Sequence, residues 1–229
     1  MAIIRWSRRV FRTLPDPIRH NRYIQALKDA IIARLSHDVI YDQDYYNHVE
    51  TWAAESAPAI VDSITRDFGP KSVADVGCGT GAMLERVSRA GLVTKGFEYS
   101  DDGIKRCRHR GLDVQKFDIE ADTYNDDTRF DVVMSMEVAE HLPESIADNY
   151  VQLLCDLSDT VVMTAASPGQ IGTDHVNLQP KSYWIEKMTA RGYTHLPQLQ
   201  QSWQDKWKAA GVTRFYWQNL LLFQKGNSA

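Results

Sequence analysis

The stretch that decides the fold is "VADVGCGTGAM", residues 73 to 83. Its first four residues suit a buried strand, and the residues that follow it, "LERVSRA", suit a helix. Gly77, Gly79 and Gly81 lie between the two. Glycines at a strand-to-helix turn let the backbone bend tightly and let a ligand approach the end of the strand. The pattern alone is weak, and its support lies downstream. Glu98 in "GFEYS" ends the next apolar run, 21 positions after Gly77, where a carboxylate can accept both hydroxyls of a ribose. Asp118 in "KFDIE" closes a third run in the same way.

Outward from this point, short apolar runs alternate with helical patterns. Strands are expected near 72–76, 93–98, 113–117, 130–135 and 159–164, and helices near 81–90, 101–110, 144–157 and 181–191. This alternation is the mark of βαβ units around a mostly parallel sheet, an α/β fold. The end, "FYWQNLLLFQKG", reads as one more strand. Upstream, Ile18, Tyr23, Ile24, Leu27, Ile31 and Leu35 recur at helical spacing, and a second helical pattern runs from Trp52 to Phe68 before a "GP" stop. Tyr41, Tyr45 and Tyr46 fall between these two helices, in a position for a lid. Residues 1–70 are therefore read as a helical cap and 71–229 as the ligand-binding core, one compact unit overall.

With 229 residues, 43% of them hydrophobic and 24% charged, the chain can bury one substantial core. Residues 1–34 carry eight Lys and Arg against Asp16 and Asp29, while the whole chain has a net charge of −4, so the body is acidic. An acidic body argues against nucleic acid as a partner. The basic front, with Trp6 and Phe11 among its arginines, is a candidate for peripheral contact with an anionic membrane. Cys78, Cys107 and Cys155 form no CxxC pair, which suggests neither a disulfide framework nor a zinc ribbon. No apolar run approaches a membrane span and no leader is evident, so a cytoplasmic location is expected.

At Asp75, Gly77, Gly79 and Gly81 the sequence resembles the first motif of the class I S-adenosylmethionine-dependent methyltransferases, an acid followed by GxGxG. The resemblance covers roughly residues 40 to 225. It implies a Rossmann-like, seven-stranded, mostly parallel sheet in the order 3-2-1-4-5-7-6 with its last strand antiparallel, carrying two added N-terminal helices. It also implies S-adenosylmethionine as cofactor. Asp75 would orient the loop and the methionine end, Glu98 would hold the ribose, Asp118 would face the adenine amine, and Tyr99 and Ile119 would flank the ring.

A second constellation follows the fourth strand. In "MEVAEHLPE", Glu137, Glu140 and His141 stand at i, i+3 and i+4, on one face of a helical turn. Two carboxylates and an imidazole suit Mg²⁺ or Mn²⁺. His175 in "GQIGTDHVNLQPKSYW" offers a further ligand from the loop after the fifth strand. Glu137, Glu140, His141 and His175 resemble the metal sites of two O-methyltransferase groups, one acting on catechol intermediates of ubiquinone biosynthesis, the other on the terminal 2′-hydroxyl of small RNAs. The resemblance implies metal-assisted O-methylation of a small-molecule, lipid or glycan acceptor with adjacent hydroxyls. A metal-free methyltransferase with His141 as general base, or a scaffold that keeps the fold without turnover, are the alternatives. Asn177, Gln179, Tyr183 and Trp184 form a polar and aromatic set that could shape an acceptor pocket. Neither the acceptor nor the oligomeric state is legible.

Overall fold

The computed structural model describes residues 43–226. A long helix, α1 (Gln43–Phe68), leads into β1 (Ser72–Val76), α2 (Ala82–Arg89), β2 (Val93–Glu98), α3 (Asp101–His109), β3 (Val114–Lys116) and β4 (Val132–Met136). Two short 3-10 turns, Ala139–His141 and Glu144–Ile146, precede α4 (Ala147–Leu157) and β5 (Thr160–Thr164). The chain ends through α5 (Lys181–Thr189), β6 (Tyr193–His195), α6 (Pro197–Ala209), α7 (Arg214–Asn219) and β7 (Leu220–Lys225).

The strands form one sheet in the order β3-β2-β1-β4-β5-β7-β6. Strands β1 to β5 pair in parallel, while β7 is antiparallel to both β5 and β6. This is the order and the antiparallel last strand that the resemblance implies. Because side chains alternate across a strand, β7 sends Leu220 and Leu222 into one apolar layer and Leu221 and Phe223 into the other. The first layer joins the sheet to α1, α2 and α6 through Ile60, Ile64, Leu84, Trp203 and Trp207. The second joins it to α4 and α5 through Tyr150, Leu154 and Trp184.

Buried indoles need a partner for their N–H, and α1 supplies two. Trp207 donates to Ser63 Oγ at 2.9 Å and Trp203 to Asp67 Oδ2 at 2.6 Å. Thr213 N donates to Ser56 Oγ at 3.1 Å, which fixes the start of α7 against the same helix. Together these bonds hold α1 along the edge of the cleft described below.

Three expectations change. The segment "FYWQN" is helix α7, and the strand begins only at Leu220, because Val212, Tyr216 and Asn219 bury at helical spacing. The strand β6, which the seven-stranded order implies, was not located along the sequence, and the helix α6 was not anticipated. β6 has three residues, too few for an alternation to register, and α6 opens on a proline in a glutamine-rich stretch. Tyr45 and Tyr46 lie inside α1 rather than in a connecting segment. Tyr41, the first leading helix and the basic front lie outside the described residues. Among the described residues no helix is long and apolar enough to cross a membrane.

Candidate active site

In a parallel sheet the loops at the carboxyl ends of the strands converge, and a crevice opens where the strand order reverses. Here that crevice is a cavity of about 860 Å³, toward the upper end of the usual range for ligand pockets, roughly 300–1,000 Å³. Asp75, Gly77, Gly79, Glu98, Tyr99, Asp118, Ile119, Glu137, Glu140, His141 and His175 all line it. One anticipated residue does not. Gly81 has φ 77°, and a Cβ there would lie 2.6 Å from Leu112 Cδ1 and 2.8 Å from Cys107 Sγ, so this glycine serves close packing beneath the loop.

The glycine loop is fixed from several sides. The amides of Gly77 and Cys78 both donate to the carbonyl of Phe97, at 2.8 and 3.2 Å. Gly77, with φ 74°, presses against Val138: a Cβ would come within 2.5 Å of Val138 Cγ2. Just past the end of α3, Arg110 donates through Nε to the Thr80 carbonyl at 3.1 Å and also pairs with Glu50 and Glu85.

Glu98 is buried, and its oxygens accept from the amides of Gly79 and Ser100, each at 2.8 Å. These two bonds fix the direction in which the carboxylate points. Asp75 is buried too, and desolvation, reinforced by the charge of Glu98, raises its pKa to about 8. A cation bound nearby would bring it down again. Asp118 Oδ1 accepts from the amide of Glu120 at 2.9 Å, which pins the turn after β3.

At the other end of the cleft stand the residues after β4. Glu140 is fully buried, and neither of its carboxylate oxygens makes a well-formed hydrogen bond among the described residues, although the Glu137 carboxyl and the amides of Glu140 and Ala166 lie close to it. Burial, with the charge of Glu137 behind it, pushes its pKa well above the carboxylate range. The imidazoles of His141 and His175 face each other edge-on, 5.1 Å apart between centroids. Ligand atoms of Glu140, His141 and His175 all lie within 4.8 Å of one another. His141 Nδ1 is 3.1 Å from the Asp174 carbonyl, an oxygen that can only accept, so Nδ1 is the donor and the neutral ring would carry its lone pair on Nε2. The loop bearing His175 is tied to this turn by its backbone, because the amides of Val176 and Asn177 donate to the carbonyl of Glu140 at 2.9 and 3.1 Å.

Glu137 is not one of that group of three, although its carboxyl lies against that of Glu140. It has φ 56°, its amide donates to Thr164 Oγ1, and its carboxylate accepts from Asn219 Nδ2 at 2.9 and 3.1 Å. Asn219 is in turn bonded to Gln170. The expectation of three residues on one helical face is thus modified: the turn is a single 3-10 turn, and Asn219 holds the first carboxylate.

The sequence reading missed Trp52 on α1, Gln170 and Ile171 after β5, and Arg214, Phe215 and Gln218 on α7, all of which line the cavity. The polar set expected to shape an acceptor pocket does not line it. Trp184 and Asn177 are buried, and Gln179 donates to Asn177. For α7 the available signal was Thr213, a residue type common at helix starts, in "GVTRFYWQN", which a strand assignment concealed.

A family model described as "Methionine biosynthesis protein MetW" matches residues 59–164. The ubiquinone biosynthesis O-methyltransferase of Nitrosomonas europaea is 29% identical over 131 residues, which are 54% of this chain and 51% of that protein. The chain spans about half or less of the length of the curated relatives it matches. Among solved structures, an O-methyltransferase family protein from Burkholderia thailandensis is 15% identical with a TM-score of 0.62, covering 93% of this chain and 72% of that one. The plantazolicin methyltransferase BpumL, in complex with a triazolic desmethylPZN analog and SAH, is 18% identical with a TM-score of 0.61, covering 87% and 96%. Taken with the sheet order and the glycine-loop cleft at its carboxyl edge, these likenesses show that the chain shares the Rossmann-like fold of class I methyltransferases.

Proposed function

We propose that the chain is an S-adenosylmethionine-dependent O-methyltransferase acting on an acceptor with adjacent hydroxyls, and that Glu140, His141 and His175 hold a divalent cation, Mg²⁺ or Mn²⁺. One observation carries the cation: a fully buried carboxylate that makes no well-formed hydrogen bond among the described residues faces two imidazoles in the same cleft. A buried, unpaired carboxylate is costly, and groups of this kind are paired or coordinate metals. The donor set also suits the ion, since oxygen and imidazole nitrogen are ligands for Mg²⁺ and Mn²⁺. When bound, such an ion supplies charge stabilisation for an acceptor oxygen that has lost its proton.

In this reading the chain's own residues divide the work. Glu98 takes the ribose hydroxyls, Asp118 the adenine amine, and Tyr99 and Ile119 the faces of the ring. Asp75 and the glycine loop seat the methionine end, whose positive charges suit an ionised Asp75. The methyl group passes in line from sulfonium to oxygen: the C–S bond breaks as the C–O bond forms, and the electron pair stays on sulfur. The hydroxyl proton leaves to solvent. Holding both partners in line supplies much of the acceleration.

A second reading rests on the bond between His141 Nδ1 and the Asp174 carbonyl. It fixes the tautomer that leaves Nε2 able to accept the hydroxyl proton, so His141 could act as general base without metal. Calorimetry on chelator-stripped protein separates the two. Titration of S-adenosylmethionine and then Mg²⁺ or Mn²⁺ is expected to give metal binding in the wild type and none in His175→Ala, with cofactor affinity equal in both. Full turnover in excess chelator would sink the metal reading.

A further inference from the structure

The cleft is rich in acid. Asp75, Glu98, Asp118, Glu120, Glu137 and Glu140 line it, and among its described lining residues Arg214 is the only Lys or Arg. Arginines beside acids are ordinarily consumed by them, as Arg106 and Arg110 are by Glu50 and Glu85. Arg214 is not. Its Nε donates to the neutral amide oxygen of Gln218 at 3.0 Å, and it forms no ion pair among the described residues.

Its surroundings are apolar. The neighbouring Phe215 meets Trp52 edge-on at 5.7 Å, and Trp52 is 44% exposed. Ile171, on the loop leading to His175, is 69% exposed and lines the same cavity. The position of this rim follows from the sheet. α7 runs directly into β7, whose Leu220 pairs with Thr164 at the carboxyl end of β5, and Asn219 bonds Gln170 on the loop after β5. The C-terminal end of α7 thus meets the loop after β5, while its first turn, which carries Arg214, lies against α1 at the rim of the cleft. The start of α7 is anchored to α1 through Thr213 and Ser56.

We propose that the acceptor is an organic anion, an apolar or aromatic body carrying one oxyanion group, and that Arg214 is the residue that recognises this group. The inference rests on the methyl-transfer reading above. An anion meets less repulsion in this cleft when the cleft is filled, because the cofactor's sulfonium and ammonium and the cation offset part of the acids' charge, and Arg214 offers the anion a positive partner at the rim. Arginine's planar fork binds carboxylate or phosphate oxygens in pairs, and the Trp52, Phe215 and Ile171 surfaces lose contact with water against the apolar body.

The test uses the full chain saturated with S-adenosylhomocysteine and Mg²⁺ and titrated with 3,4-dihydroxybenzoate or with its neutral methyl ester. The wild type is expected to bind the acid at least tenfold more tightly than the ester. Arg214→Gln should erase the preference by weakening the acid alone, Arg214→Lys should keep part of it, and S-adenosylhomocysteine affinity should stay within twofold throughout. Trp52→Ala should weaken acid and ester alike. Equal binding of the two probes by the wild type, binding of neither, or a preference that survives Arg214→Gln overturns the inference and leaves methyl transfer standing. A tenfold loss of S-adenosylhomocysteine affinity in Arg214→Gln also overturns it, since the arginine would then seat the methionine carboxylate. Failure of the wild type to bind S-adenosylhomocysteine removes both readings.

Discussion

The side-chain amide of Asn219 donates to both carboxylate oxygens of Glu137, across 82 positions of sequence. Asn219 sits where α7 gives way to β7, and Gln170 braces it from the loop after β5. Glu137 thus owes its orientation to the C-terminal part of the fold. Asn219→Ala should release the carboxylate and lower kcat about 10- to 100-fold, the usual effect of removing a group that orients a site residue. Cofactor affinity, measured by calorimetry, should stay within twofold. A parallel loss of both would show that Asn219 only supports the fold.

Gly172 keeps space for a ring. A Cβ at this position would lie 2.0 Å from His175 Nε2 and 2.2 Å from Cε1. Gly172→Ala should swing the imidazole out of the group it forms with Glu140 and His141, abolishing metal binding while leaving cofactor binding intact. The loop is on the surface, so the melting temperature should fall by no more than about 4 °C, a cost of roughly 1 kcal/mol in a protein of this size. Metal titration together with thermal melting checks both parts.

Glu140 trades stability for function. Its pKa is raised in the fold, so the native state holds a proton that the unfolded chain gives up, and stability falls as pH rises from the ordinary carboxylate range. Glu140→Gln removes that dependence. Without metal, the variant should melt higher than the wild type by an amount that grows between pH 6 and 9, up to about 3 kcal/mol, the upper cost of a buried group left unsatisfied. It should lose turnover entirely. A variant that melts lower than the wild type at pH 9 would contradict this account of the site.

The pKa of Asp75, at about 8, makes a prediction for the cofactor. If the bound sulfonium and ammonium favour the ionised carboxylate, binding expels a proton below pH 8. Affinity for S-adenosylmethionine should then rise with pH up to about 8 and level off above it, approaching tenfold per unit on the acid side. Asp75→Asn should flatten the profile. Calorimetry in buffers of different ionisation enthalpy would count the proton directly.

The sheet was legible because its strands are short apolar runs bounded by glycine and acid, and β2 begins and ends where the composition changes, at Val93 and Glu98. The cofactor side was legible for the same reason, since Asp75, Glu98 and Asp118 each stand at a strand end. The opposite wall was not. Trp52 and Arg214 reach the cleft from elements 162 positions apart, and only the packing of α1 on α6 and α7 brings them together. The reading of "FYWQN" as strand failed because aromatic residues satisfy a strand's preferences as well as a helix's, and only the buried neighbours decide. The four-residue constellation was recognised as a set, but its division by Asn219 depends on a partner no local spacing announces.

The contact between Gly77 and Val138 joins the two halves of the cleft at one point, with no room for even a methyl group between them. Val138 is the link between Glu137 and the turn that carries Glu140 and His141. A glycine loop that shifts to admit a ligand must therefore push on the chemical turn, and a turn drawn inward must draw the loop with it. Cofactor and acceptor would each sense whether the other has arrived, so the order in which they enter becomes a mechanical property of one glycine.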